Sequence, residues 1–447
     1  MNKVLLTRQR DILLLILLIA FVLRLIYALG QDHLAVYGDA RGDSGWLLAN
    51  GYALFTGFHE GLLSLPNGGE LPISLKNLPT PPVYLLFVGF WQALLEPEAA
   101  IVAIRLVQVL LGTATVYLGY RLGRAVSSPT AGLVTAAVLA VSPVFVLEPA
   151  QVVTETLYIF LLAAGLTLYL EKVILSEQRQ GWGLVLTALL LGTATLTRAV
   201  LLLFPLGLAL HLLLVYGWRR GLRWSVILLL VYSVTVGTWT VYNLVRWDRL
   251  VIGGEGFAAF LYIGATDAGW QGGAAVDESL NTDLPPETDD QQEIYRDQAG
   301  AIIGSDPLGY VSRRVSELAA AYVQPHGTLL FSGDSLRDLL QNWLRTDRSI
   351  SGLIALTQAD AFWPKLALYL FHFTGMLFGL VGMVLTRARW RMTLPLIGFI
   401  LYTTLIHLVL TALPRYIFPT ALYWWVFAGV PLLLVLSRGQ KNLENPL

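Results

Sequence analysis

Apolar positions along this chain fall into long unbroken runs rather than into alternating or amphipathic stripes. The first is Ile12–Leu29, and others lie at about 100–123, 129–147, 152–171, 183–198, 199–216, 224–243, 364–385, 394–412 and 416–436. Each comes near the roughly 20 residues that a helix needs to cross the hydrocarbon core. Backbone groups in lipid must be satisfied internally, so only helices or closed barrels span it. Runs rich in Leu, Val and Ala without alternation favour helices. The pattern predicts an all-α polytopic membrane protein with about 10 transmembrane helices. Two long polar intervals, 31–95 and 244–363, interrupt them.

The polar residues between runs set the topology. Lys3, Arg8 and Arg10 precede the first run, and Ala28-Leu29-Gly30 imitates a signal-peptide cleavage site. The helix count closes only if this segment stays, so it is read as an uncleaved first helix. Arg121 and Arg124, Lys172 and Arg179, Arg219, Arg220 and Arg223, Arg387, Arg389 and Arg391, and Arg438 and Lys441 then all share a side with the amino terminus. By the positive-inside rule that side is cytoplasmic, which puts both long intervals outside a plasma (inner) membrane. Val83–Leu95 would break the parity if it crossed. It is expected to be interfacial or re-entrant, entered through Pro79, Pro81 and Pro82. In the second interval, Asp277–Asp297 is acidic and expected to be solvated. Pro307–Tyr322 reads as an amphipathic helix with Arg313 and Arg314 toward headgroups. The chain thus divides into a transmembrane module 1–243 that includes loop 31–95, an outer region 244–363, and carboxyl-terminal helices 364–447.

Composition narrows the function. With 55% hydrophobic and 13% charged residues in 447, the chain is too apolar for a soluble globular protein. Its net charge of zero gives no reason to expect nucleic acid as a partner. The absence of cysteine excludes thiolate chemistry, disulfides and cysteine-ligated metals.

Ionisable residues beside the spans are the candidate chemistry. In VYGDARGDSGWLLANGYALFTG (36–57), Asp39 and Asp43 follow the first helix. They are either solvated loop acids or a carboxylate able to take a proton from an acceptor hydroxyl. Arg198, Arg415 and Arg105 sit at outer helix ends, and Lys76 lies in the first loop. These cations either snorkel to headgroups or hold a phosphate, for which the guanidinium fork is suited. Glu155, at the start of a span, needs a partner there and is expected to pair with an arginine. His33, His59 and Glu60 together with the aspartates leave a divalent metal possible, although no H-E-x-x-H spacing is present. His372 and His407 read as structural. No glycine-rich phosphate loop occurs, which points away from a nucleotide-sugar donor.

At this point the chain resembles a family. LRLIYALG, GDSGWLLANGYALFTG, PPVYLLFVGFW, IRLVQVLLGTATVYLGYRLGR, SPVFVLEPAQVVTETLYIFLL, LLGTATLTRAV, WTVYNLVRWDRLVIGGEG, DPLGYVSRRVSELAAAYVQP and PRYIFP occur in that order. Together they are similar to the C-type polyprenyl-phosphate-sugar glycosyltransferases, in the branch of bacterial protein-O-mannosyltransferase-like proteins and aminoarabinose transferases. The resemblance implies seven shared helices and a variable carboxyl-terminal set, here counted as three. It implies Asp43 as the first-loop base, with Asp39 the alternative, and Arg198, Glu155 and Arg415 as site residues. The chain has Tyr242-Asn243 where many relatives have Arg-Asn, so Asn243 matches, one expected cation is missing, and Arg246 or Arg249 is expected to replace it. Lys76 lies near a lysine that relatives place just before their Pro-Pro pair. The implied reaction is inverting transfer of a sugar from a polyprenyl-phosphate donor to a hydroxyl of a protein, lipid or glycan, outside the membrane. The rival readings are a flippase or transporter, and a polymerase or ligase, for lipid-linked saccharides.

Overall fold

The computed structural model describes residues 3–38, 43–58, 60–64, 66, 68–74, 80–176, 180–254, 257–266, 289–331 and 333–444. Asp39, His59, Lys76 and 277–288 of the acidic stretch lie outside the described residues.

Helix α1 (Lys3–Leu29) leads into the first loop. There α2 (Asp43–Thr56) is followed by a hairpin of β1 (Glu60–Ser64) and β2 (Glu70–Ser74), paired antiparallel with Glu60 opposite Ser74, and then by α3 (Pro82–Leu94). A helical core follows: α4 (Pro97–Val126), α5 (Pro129–Val141), α6 (Pro143–Leu147), α7 (Glu155–Leu168), α8 (Gln180–Thr195) and α9 (Phe204–Trp247). The second loop contributes α10 (Phe257–Ala265), α11 (Asp289–Ser305), α12 (Pro307–Val323), α13 (Leu336–Thr346) and α14 (Ile350–Ala355). The chain then re-enters the core with α15 (Phe362–Leu385), α16 (Trp390–Val409) and α17 (Ala421–Glu444).

Among the described residues, seven helices are long and apolar enough to cross a membrane, or eight if α5 and α6, bent by 63°, form one span. The expected ten differ from this at two places. Helix α8 has 16 residues, fewer than a span usually needs. Helix α9 counts once but folds back on itself at Gly217, whose φ of +72° is open to glycine without steric cost. Across that break Ser225 Oγ donates to Ala209 O at 2.8 Å and Tyr232 Oη to Leu202 O at 3.0 Å, as in an antiparallel helical pair.

The first-loop helices are bolted to the core. Helices α2 and α3 cross with backbones in contact: a Cβ on Gly89 would lie 2.1 Å from Gly51 O. Gln92 Nε2 donates to Leu48 O at 2.8 Å, and the Val83 amide donates to Leu196 O at 2.9 Å, at the end of α8. Segment 82–94 is therefore a 13-residue helix packed on α2.

The bend between α5 and α6 has an identifiable cause. Pro143 carries no N–H, so Leu139 O loses its helical donor. Arg24, buried in α1, supplies replacements, donating to Leu139 O at 3.0 Å, Ala140 O at 3.2 Å and its own Ala20 O at 2.9 Å. Arg24→Leu should leave carbonyls orphaned in a dry site and cost about 2–4 kcal/mol, at about 1–3 kcal/mol for each unsatisfied group. Equilibrium unfolding of the purified variant in detergent reads that loss, and unchanged stability would show that the bend does not need the guanidinium.

One expectation is corrected here. Helix α12 forms as foreseen, but Arg314 points inward, 1% exposed, instead of toward headgroups. It pairs with Glu317 and donates to Leu410 O at 2.9 Å. The reason is local: the last carbonyls of α16 need donors, and Tyr310 Oη supplies another to Val409 O at 2.6 Å. Helix α12 thus clamps the segment that follows α16.

Candidate active site

Glu155 opens α7 and is 0% exposed. A carboxylate removed from water stays ionised only when paired and hydrogen-bonded. Two arginines from distant parts of the chain close on it. Arg198 Nη1 donates to Oε1. Arg415 donates through Nε to Oε1 and through Nη2 to Oε2 at 3.1 Å. Thr154 Oγ1 bridges the group, accepting from Arg198 Nη1 and donating to Glu155 Oε2, each at 3.2 Å. The remaining nitrogen of Arg415, Nη1, donates to Asp43 Oδ2. Asp43, Arg415, Glu155 and Arg198 therefore form one continuous line of charge that sums to zero.

Each member is held by its own piece of backbone. Asp43 is the first residue of α2, where the helix dipole favours a negative charge. Arg198 lies in an extended residue between α8 and the next turn of helix, with Thr197 Oγ1 tied to Thr193 O at 2.9 Å. Its guanidinium rests between the rings of Tyr158, 5.9 Å away, and Tyr416, 5.6 Å away. Such faces attract a cation and restrict its plane. Arg415 occupies the turn Pro414–Ile417, just beyond the segment clamped by α12. His407 stacks on Tyr416 and meets Thr411 O at 3.0 Å, a structural role as expected from its place in a span.

Among the described residues, Arg198 Nε and Nη2 and Asp43 Oδ1 have no hydrogen-bond partner. The Asp43 side chain is 58% exposed. The line thus ends in open donors at Arg198 and an open acceptor at Asp43.

The other expected site residues lie elsewhere. Arg105 spends its donors on carbonyls at the end of α1 and before α7: Ala150 O at 2.8 Å, Asp32 O at 3.2 Å and Gln31 O at 3.4 Å, besides His33 Nδ1. Asn243 is buried and donates to Trp239 O at 2.8 Å. Arg246 is exposed over the Trp247 ring. Among the described residues no three His, Asp or Glu side chains gather closely enough for a metal ion. Of the residues expected to supply one, Asp39, His59 and the Glu60 side chain lie outside the described residues.

A second buried acid was not foreseen. Glu148 receives His326 Nε2 at 2.8 Å, and the His326 ring packs on Phe418 at 4.8 Å. Nothing local in the sequence marks this pair, which joins residues 178 positions apart. Tyr158 was not foreseen either, although its place three residues after Glu155 on the same helical face is a signal that marks it. Beside Arg415 an apolar cavity opens, lined by Tyr322, His326, Leu368, Phe371, Trp424 and Trp425.

The fold has counterparts among solved membrane proteins. It is similar to archaeal oligosaccharyltransferase AglB from Archaeoglobus fulgidus, solved with an inhibitory peptide and a dolichol-phosphate. That likeness has a TM-score of 0.56 and 15% identity, and covers 100% of this chain and 52% of that one. The apo form of the Archaeoglobus fulgidus oligosaccharyltransferase gives 0.54 and 13%, over 98% of this chain and 52% of that one. The chain spans about half the length of these structures. Residues 79–246 match the family described as dolichyl-phosphate-mannose-protein mannosyltransferase. No curated protein sequence matches. Glu155 and Arg198 lie within the family match; Asp43 and Arg415 lie beyond its two ends.

Proposed function

We propose that the protein is an integral membrane glycosyltransferase that moves a sugar from a polyprenyl phosphate to an acceptor hydroxyl. The observation that carries this reading is the line Asp43–Arg415–Glu155–Arg198, which sets an open carboxylate oxygen and open guanidinium donors at opposite ends of one fixed network. In the proposed reaction the acceptor oxygen attacks the anomeric carbon from the face opposite the phosphate. The new carbon–oxygen bond forms as the bond to the phosphate oxygen breaks, and its electron pair leaves with the polyprenyl phosphate. The hydroxyl proton passes to Oδ1 of Asp43, and the anomeric configuration inverts. Arg198 offers Nε and Nη2 to the phosphate, whose charge grows as it departs. Glu155 keeps both guanidinium groups in place, and Arg415 orients the base. The apolar cavity beside Arg415 suits an isoprenoid chain.

The dolichol-phosphate held by the archaeal relative supports the donor class. The positive-inside count supports a cytoplasmic amino terminus and an outer site, with α8 and both arms of α9 counted to make ten spans. On that reading 1–243 carries the donor site, 244–363 the outer region, and 364–447 the helices that deliver Arg415.

The reading is tested with purified protein in nanodiscs, isotopically labelled polyprenyl-phosphate sugars and an envelope extract, followed by mass spectrometry. Labelled sugar should appear on an acceptor with release of polyprenyl phosphate; donors left intact across the common sugars would overturn it. In the same system Arg198→Ala should weaken polyprenyl-phosphate binding about 10- to 150-fold, since a hydrogen bond to a charged group contributes about 1.5–3 kcal/mol. Arg198→Lys should recover only part of this, because an ammonium lacks the planar fork. Unchanged binding in the folded alanine variant would return Arg198 to a structural role.

A further inference from the structure

Helix α13 (Leu336–Thr346) carries an apolar stripe that the described residues cover only in part. Leu336, Leu339, Leu340, Trp343 and Leu344 recur at the spacing of one helical face, while Asp338, Gln341, Asn342 and Arg345 occupy the other. No residue of α13 or of α14 (Ile350–Ala355) is buried. Leu344 is 47% exposed, Ile354 62% and Ile350 79%. For a segment surrounded by water this would be an unstable arrangement, since exposed apolar patches mark interaction surfaces.

The position of the segment says what covers it. Lys365 lies in the first turn of α15, 1% exposed, and its ammonium donates to Gly333 O at 3.1 Å, Asp334 O at 2.9 Å and Asp360 O at 3.2 Å. Both ends of 333–360 are thereby tied to one side chain. Helix α15 is apolar enough to span, and its surface beyond that turn shows Leu370, Leu377 and Val384 outward. Lys365 is three residues into the helix, so the tie lies about 5 Å from its start at 1.5 Å rise per residue. The α13–α14 pair is thus held at the level where the lipid surface of the span begins. Trp363, 66% exposed, sits at that same level, where tryptophan is favoured at the membrane interface. This is also the end of α15 that shares its side with Arg415, because Leu368 and His372 line one cavity with Pro414 and Phe418.

We infer that α13 and α14 form a membrane-docking hairpin that lies in the headgroup layer on the side of the candidate active site. Its partner is the phospholipid surface. Leu340, Leu344, Ile350 and Ile354 enter the acyl boundary, and Arg337, at the edge of the apolar stripe, meets lipid phosphates. The inference does not depend on the proposed reaction.

The chain contains no cysteine, so single reporters can be placed without background. Leu340→Cys, Leu344→Cys, Ile354→Cys, Gln341→Cys and Asn342→Cys, each spin-labelled, are examined in nanodiscs of phosphatidylcholine and phosphatidylglycerol. The collision rate with dissolved oxygen relative to a water-soluble nickel chelate should be several-fold higher at 340, 344 and 354 than at 341 and 342. Equal access to the nickel reagent at all five positions would overturn the inference, since the hairpin would stand in water. Exclusion of both reagents at 340, 344 and 354 would also overturn it, since another protein surface would then cover the stripe.

Discussion

Asp43→Asn should abolish transfer while leaving the donor bound. The amide keeps the size and much of the hydrogen bonding of the carboxylate but cannot take the proton of the acceptor hydroxyl. Loss of a general base costs on the order of 100- to 10,000-fold in rate. Donor affinity should barely change, because the open donors of Arg198 are separated from Asp43 by Arg415 and Glu155. Single-turnover transfer and polyprenyl-phosphate binding, measured on the same preparation, separate the two quantities. Asp39→Asn should cost less. If Asp39→Asn is inactive and Asp43→Asn transfers at the parent rate, the roles are exchanged. Full activity in both variants would remove the first loop from the chemistry.

Glu155→Leu should be the most destabilising single change at the site. It leaves the guanidinium groups of Arg198 and Arg415 facing each other across a buried position, with Asp43 on Arg415 the remaining counter-charge. Removing one partner of a buried ion pair typically costs about 3–5 kcal/mol, mainly through the charge left behind. Glu155→Asp retains the charge one methylene short and should recover part of the loss. The double variant with Arg198→Leu should be more stable than Glu155→Leu alone, since it removes the cation that Glu155 neutralised. Equilibrium unfolding of all three in detergent tests this, and a Glu155→Leu protein as stable as the parent would mean that the arginines find other partners.

How much of this was legible depended on whether the relevant physics is local. Helices and their approximate limits follow from apolar run lengths. A buried Glu155 demands a cation, and Arg198 and Arg415 stood at helix ends on the side where one was needed. Arg105 shows the limit. Its sequence context matches theirs, but its donors meet carbonyls at Gln31, Asp32 and Ala150, and free helix-end carbonyls are visible only once the helices are placed. Arg314 turned inward for the same reason. The hairpin of β1 and β2 left a weak trace in Asn67-Gly68-Gly69, a turn signal between its strands. The hairpin at Gly217 was read as two spans joined by a basic turn, and the contacts of Ser225 and Tyr232 give those arms their antiparallel pairing. The pair of Glu148 and His326 had no local sign, since its partners come from separate segments that only the folded core brings together.

The bridge between Asp43 and Arg415 also orders events in time. Its two residues are 372 positions apart. At about 5–20 residues per second, a ribosome needs about 20 to 75 s to reach the second after making the first. Throughout that interval the α2 segment has been made, yet the guanidinium that pairs with its aspartate has not been synthesised. On the proposed reading a nascent chain carries an incomplete centre until the segment bearing Arg415 is inserted, so competence waits for that late segment.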